Sequence, residues 1–164
     1  MKHIRPYLAV VLLSVFAFAC GENNDDDMNP DDMTEDFTIW EGDNITFTKA
    51  DGADPNVEAN QDRITSSVHI TRGNNGGQIF NAATESSSDK DASPAGTEWA
   101  VGSIDDIANL TFRPFRAAVG DPKDVVGKNL VLHVIAQDVY ISVRFTQWSQ
   151  RRGGGFAYIR STEN

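Results

Sequence analysis

The chain has 164 residues, 24 of them acidic and 14 basic, a formal net charge of −10 at pH 7, and 40% are hydrophobic. That length suits one domain plus a tail, and the acidic balance argues against a nucleic-acid partner, whose phosphates reward clustered Lys and Arg. With Cys20 as the single cysteine, no disulfide framework can staple the fold.

Lys2 and Arg5 precede an apolar run, LAVVLLSVFAFA, which ends at Ala19 directly before Cys20. A basic start, a run of this length and small residues at the cut are the layout of a signal peptide; a spanning helix needs roughly 20 apolar residues. Residues 1–19 are expected to be a lipoprotein signal peptide and Cys20 the lipid-anchored first residue of the mature chain. Ala17 stands three places before the cysteine where Leu is usual, so the site resembles the looser lipobox of Bacteroidetes-type lipoproteins. A free thiol after ordinary cleavage is the alternative, and it leaves an exposed Cys20 with no role.

Residues 20–36 hold eight acidic side chains and no basic ones, too little apolar surface to fold, and are expected to be a disordered tether. The acidic run resembles the export signal that carries some lipoproteins to the cell surface; a plain hydrophilic spacer is the other reading. Removing the two basic residues of 1–19 and the eight acids of the tether leaves 16 acidic against 12 basic. The remaining domain, 37–164, is only mildly negative.

Within it, alternation predicts strands at 44–49, 63–72 and 78–82, with Ile64, Val68 and Ile70 in phase and GNNGG (73–77) as a hairpin connection. Residues 84–97 form a long polar loop. Ser103 with Asp106 resembles a capping box, and DPKDVVG (121–127) suits one helical turn. Placing Gln137 and Asp138 in a two-residue turn sets Leu130, Leu132, Val134 and Ala136 opposite Phe145, Val143, Ile141 and Val139, one wholly apolar face. The expected fold is all-β: an antiparallel sandwich, immunoglobulin-like or jelly-roll, of seven to nine short strands with one or two helical turns.

The other face of that hairpin carries Val131, His133, Ile135, Tyr140, Ser142 and Arg144, with Trp148 by simple alternation. If the last strand pairs so that Trp148 faces Phe156, then Tyr158 and Arg160 join Tyr140 and Arg144. The result is an aromatic and guanidinium surface suited to sugar faces and acidic polymers. The competing reading has the 84–97 loop covering these rings as a second, minor core.

The chain resembles a group of small secreted or lipid-anchored β-rich domains, mainly of marine bacteria. The segments that carry the likeness are ITFTKADGADPNVEANQDRIT, TRGNNGGQIFNA, SPAGTEWA and VRFTQWSQRRGGGFAYIRST. The likeness spans essentially residues 40–162 and implies a free-standing extracellular module, with no catalytic residues to carry over.

The loop 51–63 crowds Asp51, Asp54, Asn56, Glu58, Asn60 and Asp62 together, oxygen donors of the kind calcium takes. The spacing is not that of an EF-hand, and the alternative is a solvated turn whose side chains bond the local backbone. No nucleophile elbow, P-loop, dinucleotide fingerprint or zinc spacing occurs. His69 and His133 are the two mature histidines, His133 reading as a packed strand residue. Glu85, Glu98 and Asp105 are the carboxylates an acid/base pair would draw on.

The expected function is therefore that of an outer-membrane lipid-anchored, surface-exposed lipoprotein displaying a non-catalytic module for carbohydrate or another extracellular polymer, calcium being its one candidate cofactor. A structural lipoprotein docking onto an envelope protein is the alternative, and a polysaccharide-active enzyme the least favoured. Trp40, Trp99 and Trp148 could serve either form of binding. Because lipidation requires the Cys20 sulfur, Cys20→Ala is expected to move the protein out of the detergent phase and abolish fatty-acid labelling while the domain stays folded. Each buried CH₂ of an acyl chain contributes about 0.8 kcal/mol, so the shift in partitioning should be large.

Overall fold

The computed structural model describes residues 37–164. The expected signal peptide (1–19), Cys20 and the acidic segment to residue 36 lie outside the described residues.

The domain is mostly β, with one six-stranded and one three-stranded sheet. In the larger sheet β2 (Gly42–Lys49), β9 (Phe156–Thr162), β8 (Val139–Trp148), β7 (Asn129–Val134) and β6 (Thr97–Val101) follow one another in antiparallel order. A short β1 (Thr38–Trp40) runs parallel to β8 beside Val139–Ile141, where β9 no longer reaches. The smaller sheet is β3 (Asp62–Arg63), β4 (His69–Arg72) and β5 (Ile79–Asn81), all antiparallel.

One apolar core draws on both sheets: Ile64, Val68, Ile70 and Ile79 from the smaller and its turns, Leu132, Ile141, Val143 and Phe145 from the larger. At its centre Trp99, Phe115, Phe145, Trp148 and Phe156 meet ring to ring, with Trp99 and Phe115 centroids 5.1 Å apart and edge-on. The buried indole N–H of Trp99 donates to Thr97 Oγ1 at 2.9 Å. Phe115 comes from α1 (Phe115–Val119), which follows Pro114 and closes at Gly120 in the left-handed region (φ 78°). Proline at the entry and glycine just past the end bracket this short helix.

The predicted β7–β8 register is corrected by two residues. The connection is a 3-10 turn, Ile135–Gln137, closed by Asp138 in left-handed conformation, so Val134 pairs with Val139, Leu132 with Ile141 and Leu130 with Val143. A slip of two leaves every side chain on its predicted face, and all the strand residues of that apolar set are buried; only Ala136 moves into the exposed turn. The predicted single strand 63–72 instead folds back on itself. Ser67 N donates to Thr65 Oγ1, and β3 and β4 pair across the tight turn while Ile64, Val68 and Ile70 remain in the core.

The two sheets are joined by charge as well as by apolar contact. Asp62 of β3 receives Arg160 Nε (2.7 Å) and Nη2 (2.9 Å) and the Tyr158 hydroxyl (2.6 Å), the latter two residues being on β9, and all three are buried. Tyr158→Phe is expected to lower stability by about 1.5 to 3 kcal/mol near neutral pH, the range for a hydrogen bond to a charged group. Burial, then the charge and hydrogen bond of Asp62, raise the phenol's pKa well above its ordinary 10.0. The shift's contribution is complete below about pH 10 and is lost as pH rises towards the folded value. Denaturant melts of both proteins against pH should show their gap narrowing above about pH 10; a gap that does not change with pH contradicts the assignment.

Candidate functional site

The surface left available for recognition is the outer face of the large sheet. Alternation on β6, β7 and β8 sends Trp99, Leu132 and Ile141 inward and Glu98, Val131, His133, Tyr140, Ser142 and Arg144 outward. The cover on this face is not the 84–97 loop. It is the segment after β6, whose 3-10 turn Ile104–Asn109, capped by Ser103 Oγ accepting from Asp105 N, lies against β7 and β8. The 84–97 loop stays with the smaller sheet: Glu85 accepts from Asn81 N, Ala95 N and Ser93 Oγ, and Gln78 Nε2 donates to Asp89 O and Ser93 O.

Two adjoining patches result. In the first, the His133 and Tyr140 rings stack with centroids 4.3 Å apart and planes within 2°. Phe112 stands edge-on to both, and Phe37 edge-on to Tyr140 at 5.4 Å. Two carboxylates rim the imidazole: Asp138 Oδ1 lies 2.9 Å from Nε2 and Glu98 Oε2 3.7 Å from Nδ1. The left-handed backbone at Asp138, which Asp tolerates better than most residues, ends the turn from which its carboxylate meets His133.

The second patch is an open cleft of about 410 Å³ lined by Asn44, Ser103, Asp105, Asn129, Ser142 and Arg144. The Arg144 side chain is exposed, and its guanidinium has no ion-pair or hydrogen-bond partner among the described residues. Asp105 is already engaged by the Ser103 hydroxyl at 3.0 Å. An unpaired guanidinium in a concavity whose one carboxylate, Asp105, is turned to Ser103 can grip a carboxylate, sulfate or hydroxyl pair through its planar fork.

The expected six-residue ligand surface is not assembled. Tyr140 and Arg144 are on the outer face, but Trp148, Phe156, Tyr158 and Arg160 are buried. An irregularity in the β8–β9 ladder is the cause: Phe145 pairs with Tyr158 and Gln147 with Ala157, so Thr146 is an extra residue in β8. A bulge reverses the facing of every later side chain, and Trp148 enters the core against Phe115 and Phe156 with Arg72 over its ring at 4.0 Å. Trp99 is wholly buried and Trp40 packs against the core edge.

The oxygen donors of 51–62 also go separate ways. Asp51 accepts from Gly155 N, Asp54 from Asn56 N and Nδ2, Glu58 pairs with Arg63, Asn60 Nδ2 donates to Asp54 O, and Asp62 is held by Arg160. Among the described residues no group of three or more His, Cys, Asp or Glu side chains is placed to hold a metal ion. Glu85, Glu98 and Asp105 sit in three different hydrogen-bonding environments rather than as a facing pair.

Sequence reading reached Tyr140, Ser142 and Arg144 by strand alternation but missed Phe37, Phe112, Glu98 and Asp138 as parts of this face. Glu98 was recoverable once TEWAV was paired with β7. Phe112 sits in a segment with no periodicity and carried no signal.

No protein-family model matches the chain, and neither a curated protein nor a solved structure matches it.

The bulge leads to opposite expectations for two residues on one strand. Trp148→Ala should cost about 3 to 5 kcal/mol, as a large core side chain does, whereas Arg144→Ala should stay within about 0.5 kcal/mol of wild type. Urea titrations of both variants test the assignment, and equal midpoints would refute it.

Proposed function

We propose that this chain is an outer-membrane, surface-displayed lipoprotein whose single domain is a non-catalytic binding module for an extracellular polymer, carbohydrate being the first choice. The observation that carries the reading is the pairing, on one sheet face, of the Tyr140–His133 platform with the Arg144 cleft. Four residues along β8 place the two about 13 Å apart, a separation suited to an extended chain rather than a compact ligand. Aromatic rings take the apolar faces of sugars, the carboxylates of Glu98 and Asp138 accept from hydroxyls, and Arg144 takes an acidic substituent. We read the two sheets as halves of a sandwich, immunoglobulin-like or jelly-roll, on the strength of their shared core.

Docking onto an envelope protein is the second reading, and one observation favours it. The edge of β6 is bridged at Trp99 by Arg113, whereas β2 is an end strand with Asp43 to Thr46 all exposed and Ile45 40% accessible. Such an edge can accept an added strand.

A panel of neutral and acidic polysaccharides, probed with calcium and with chelator, separates the readings. Retention on at least one polymer is expected, with Arg144→Ala weakening it about tenfold, or about 1.4 kcal/mol, at unchanged stability. Failure to bind any polymer, or binding that ignores Arg144→Ala and Tyr140→Ala alike, removes the carbohydrate reading in favour of docking.

A further inference from the structure

Where the two sheets meet beyond the Asp62–Arg160 pair, three glycine-containing loops interlock around a buried lysine. Lys49, the last residue of β2, is wholly inaccessible. Its Nζ lies 2.9 Å from Asn74 Oδ1 and 3.3 Å from Gly154 O. Among the described residues no carboxylate lies within ion-pair distance of it. The Asn74 carboxamide, on a half-buried residue, is held at both ends: Nδ2 donates to Ala53 O at 2.9 Å, and Gly154, in the left-handed region at φ 76°, packs so closely that any Cβ there would strike Oδ1.

We propose that Lys49 and Asn74 become joined by an intramolecular amide bond, an isopeptide that staples the end of β2 to the loop between β4 and β5. The reaction needs a neutral amine and a carboxamide held against it, and both have a basis in this cluster. Burial first, and then the Arg72 charge, push the Lys49 pKa below its ordinary value, favouring the free amine. Fixing nucleophile and electrophile in contact replaces a bimolecular encounter by an intramolecular one.

The step balances without an oxidant or co-reactant. The Lys49 ammonium first gives up a proton to solvent. The Nζ lone pair adds to Asn74 Cγ, a proton passes from Nζ to Nδ2, and the Cγ–Nδ2 bond breaks. Ammonia departs and takes up a proton from solvent to leave as ammonium. One C–N bond forms and one is lost. The product closes a separation of 25 residues in a chain whose single cysteine rules out an internal disulfide. Like a disulfide, such a link would restrict the unfolded state. It is independent of the outer-face site.

The test is peptide mapping of the purified, denatured full chain by tandem mass spectrometry. A branched peptide joining the segments that contain Lys49 and Asn74, lighter than their sum by one ammonia, is expected. It should disappear in Asn74→Ala and in Lys49→Met, even if those variants are less stable. Recovery of only linear peptides, with the Lys49 amine free to react with a label after denaturation, overturns the proposal. Ammonia loss traced to a cyclic imide at Asn75–Gly76, the adjoining pair in the same loop, overturns it as well.

Discussion

The buried Asp62–Arg160 pair, with Tyr158 as third partner, is the constraint on which the arrangement depends. Both charges are removed from water, a cost of several kcal/mol per ion that is offset only when geometry and hydrogen bonding are complete. Here both carboxylate oxygens are engaged, one by two donors, and Arg160 Nη1 finds Ser161 O at 3.1 Å. Such a bond set has little tolerance for sliding. It ties β3 to one position on β9, and with it the smaller sheet to the larger. Apolar packing between the sheets could be met by several offsets; the paired forks of carboxylate and guanidinium are met by one.

The same logic extends to the cluster beside it. Arg72 spans the gap between the sheets, donating to Gly77 O on its own hairpin and to Ser149 O and Gly155 O next to β9, with its guanidinium over Trp148. Its partner in charge is Asp51, which accepts from Gly155 N and sits where a Cβ on Gly153 or Gly155 would fall. That crowding explains why QRRGGG carries three successive glycines better than flexibility does. Hydrogen bonds from the Ser149 side chain and then the Gly155 backbone hold the Asp51 carboxyl below the usual carboxylate range, so it remains an acceptor for the loop it organises.

These contacts also explain what the sequence could and could not convey. DGADPNVEANQD has the composition of an exposed cation loop, and nothing local distinguishes Asp62, which is 5% accessible, from Asp54, which is exposed. The difference is set by partners 98 residues away. Period-two alternation reported β7 and the first half of β8 correctly because burial on one side imposes it directly, and the error in turn length was harmless because it was an even number. Thr146 was different. A single extra residue leaves no mark on composition, so a bulge there could not be read, and everything C-terminal to it was placed on the wrong face. β1 and α1 were missed for a related reason: three and five residues are too few to show a period.

The bulge at Thr146 divides β8 into two halves that face differently. Before it, even-numbered residues Tyr140, Ser142 and Arg144 face outward while odd-numbered ones build the core; after it, Trp148 is core. Arg144, exposed, carries little packing load and is free to vary, whereas Tyr140 is half-buried against His133, Phe112 and Phe37. The second half has no such freedom, since Trp148 holds Arg72 and Arg72 holds the loop junction. Outward-facing and core side chains thus follow one another along one strand, their phase changed by one inserted residue. On the proposed reading, with Tyr140 and Arg144 four residues apart on β8, an extended polymer would lie along the strand rather than across it.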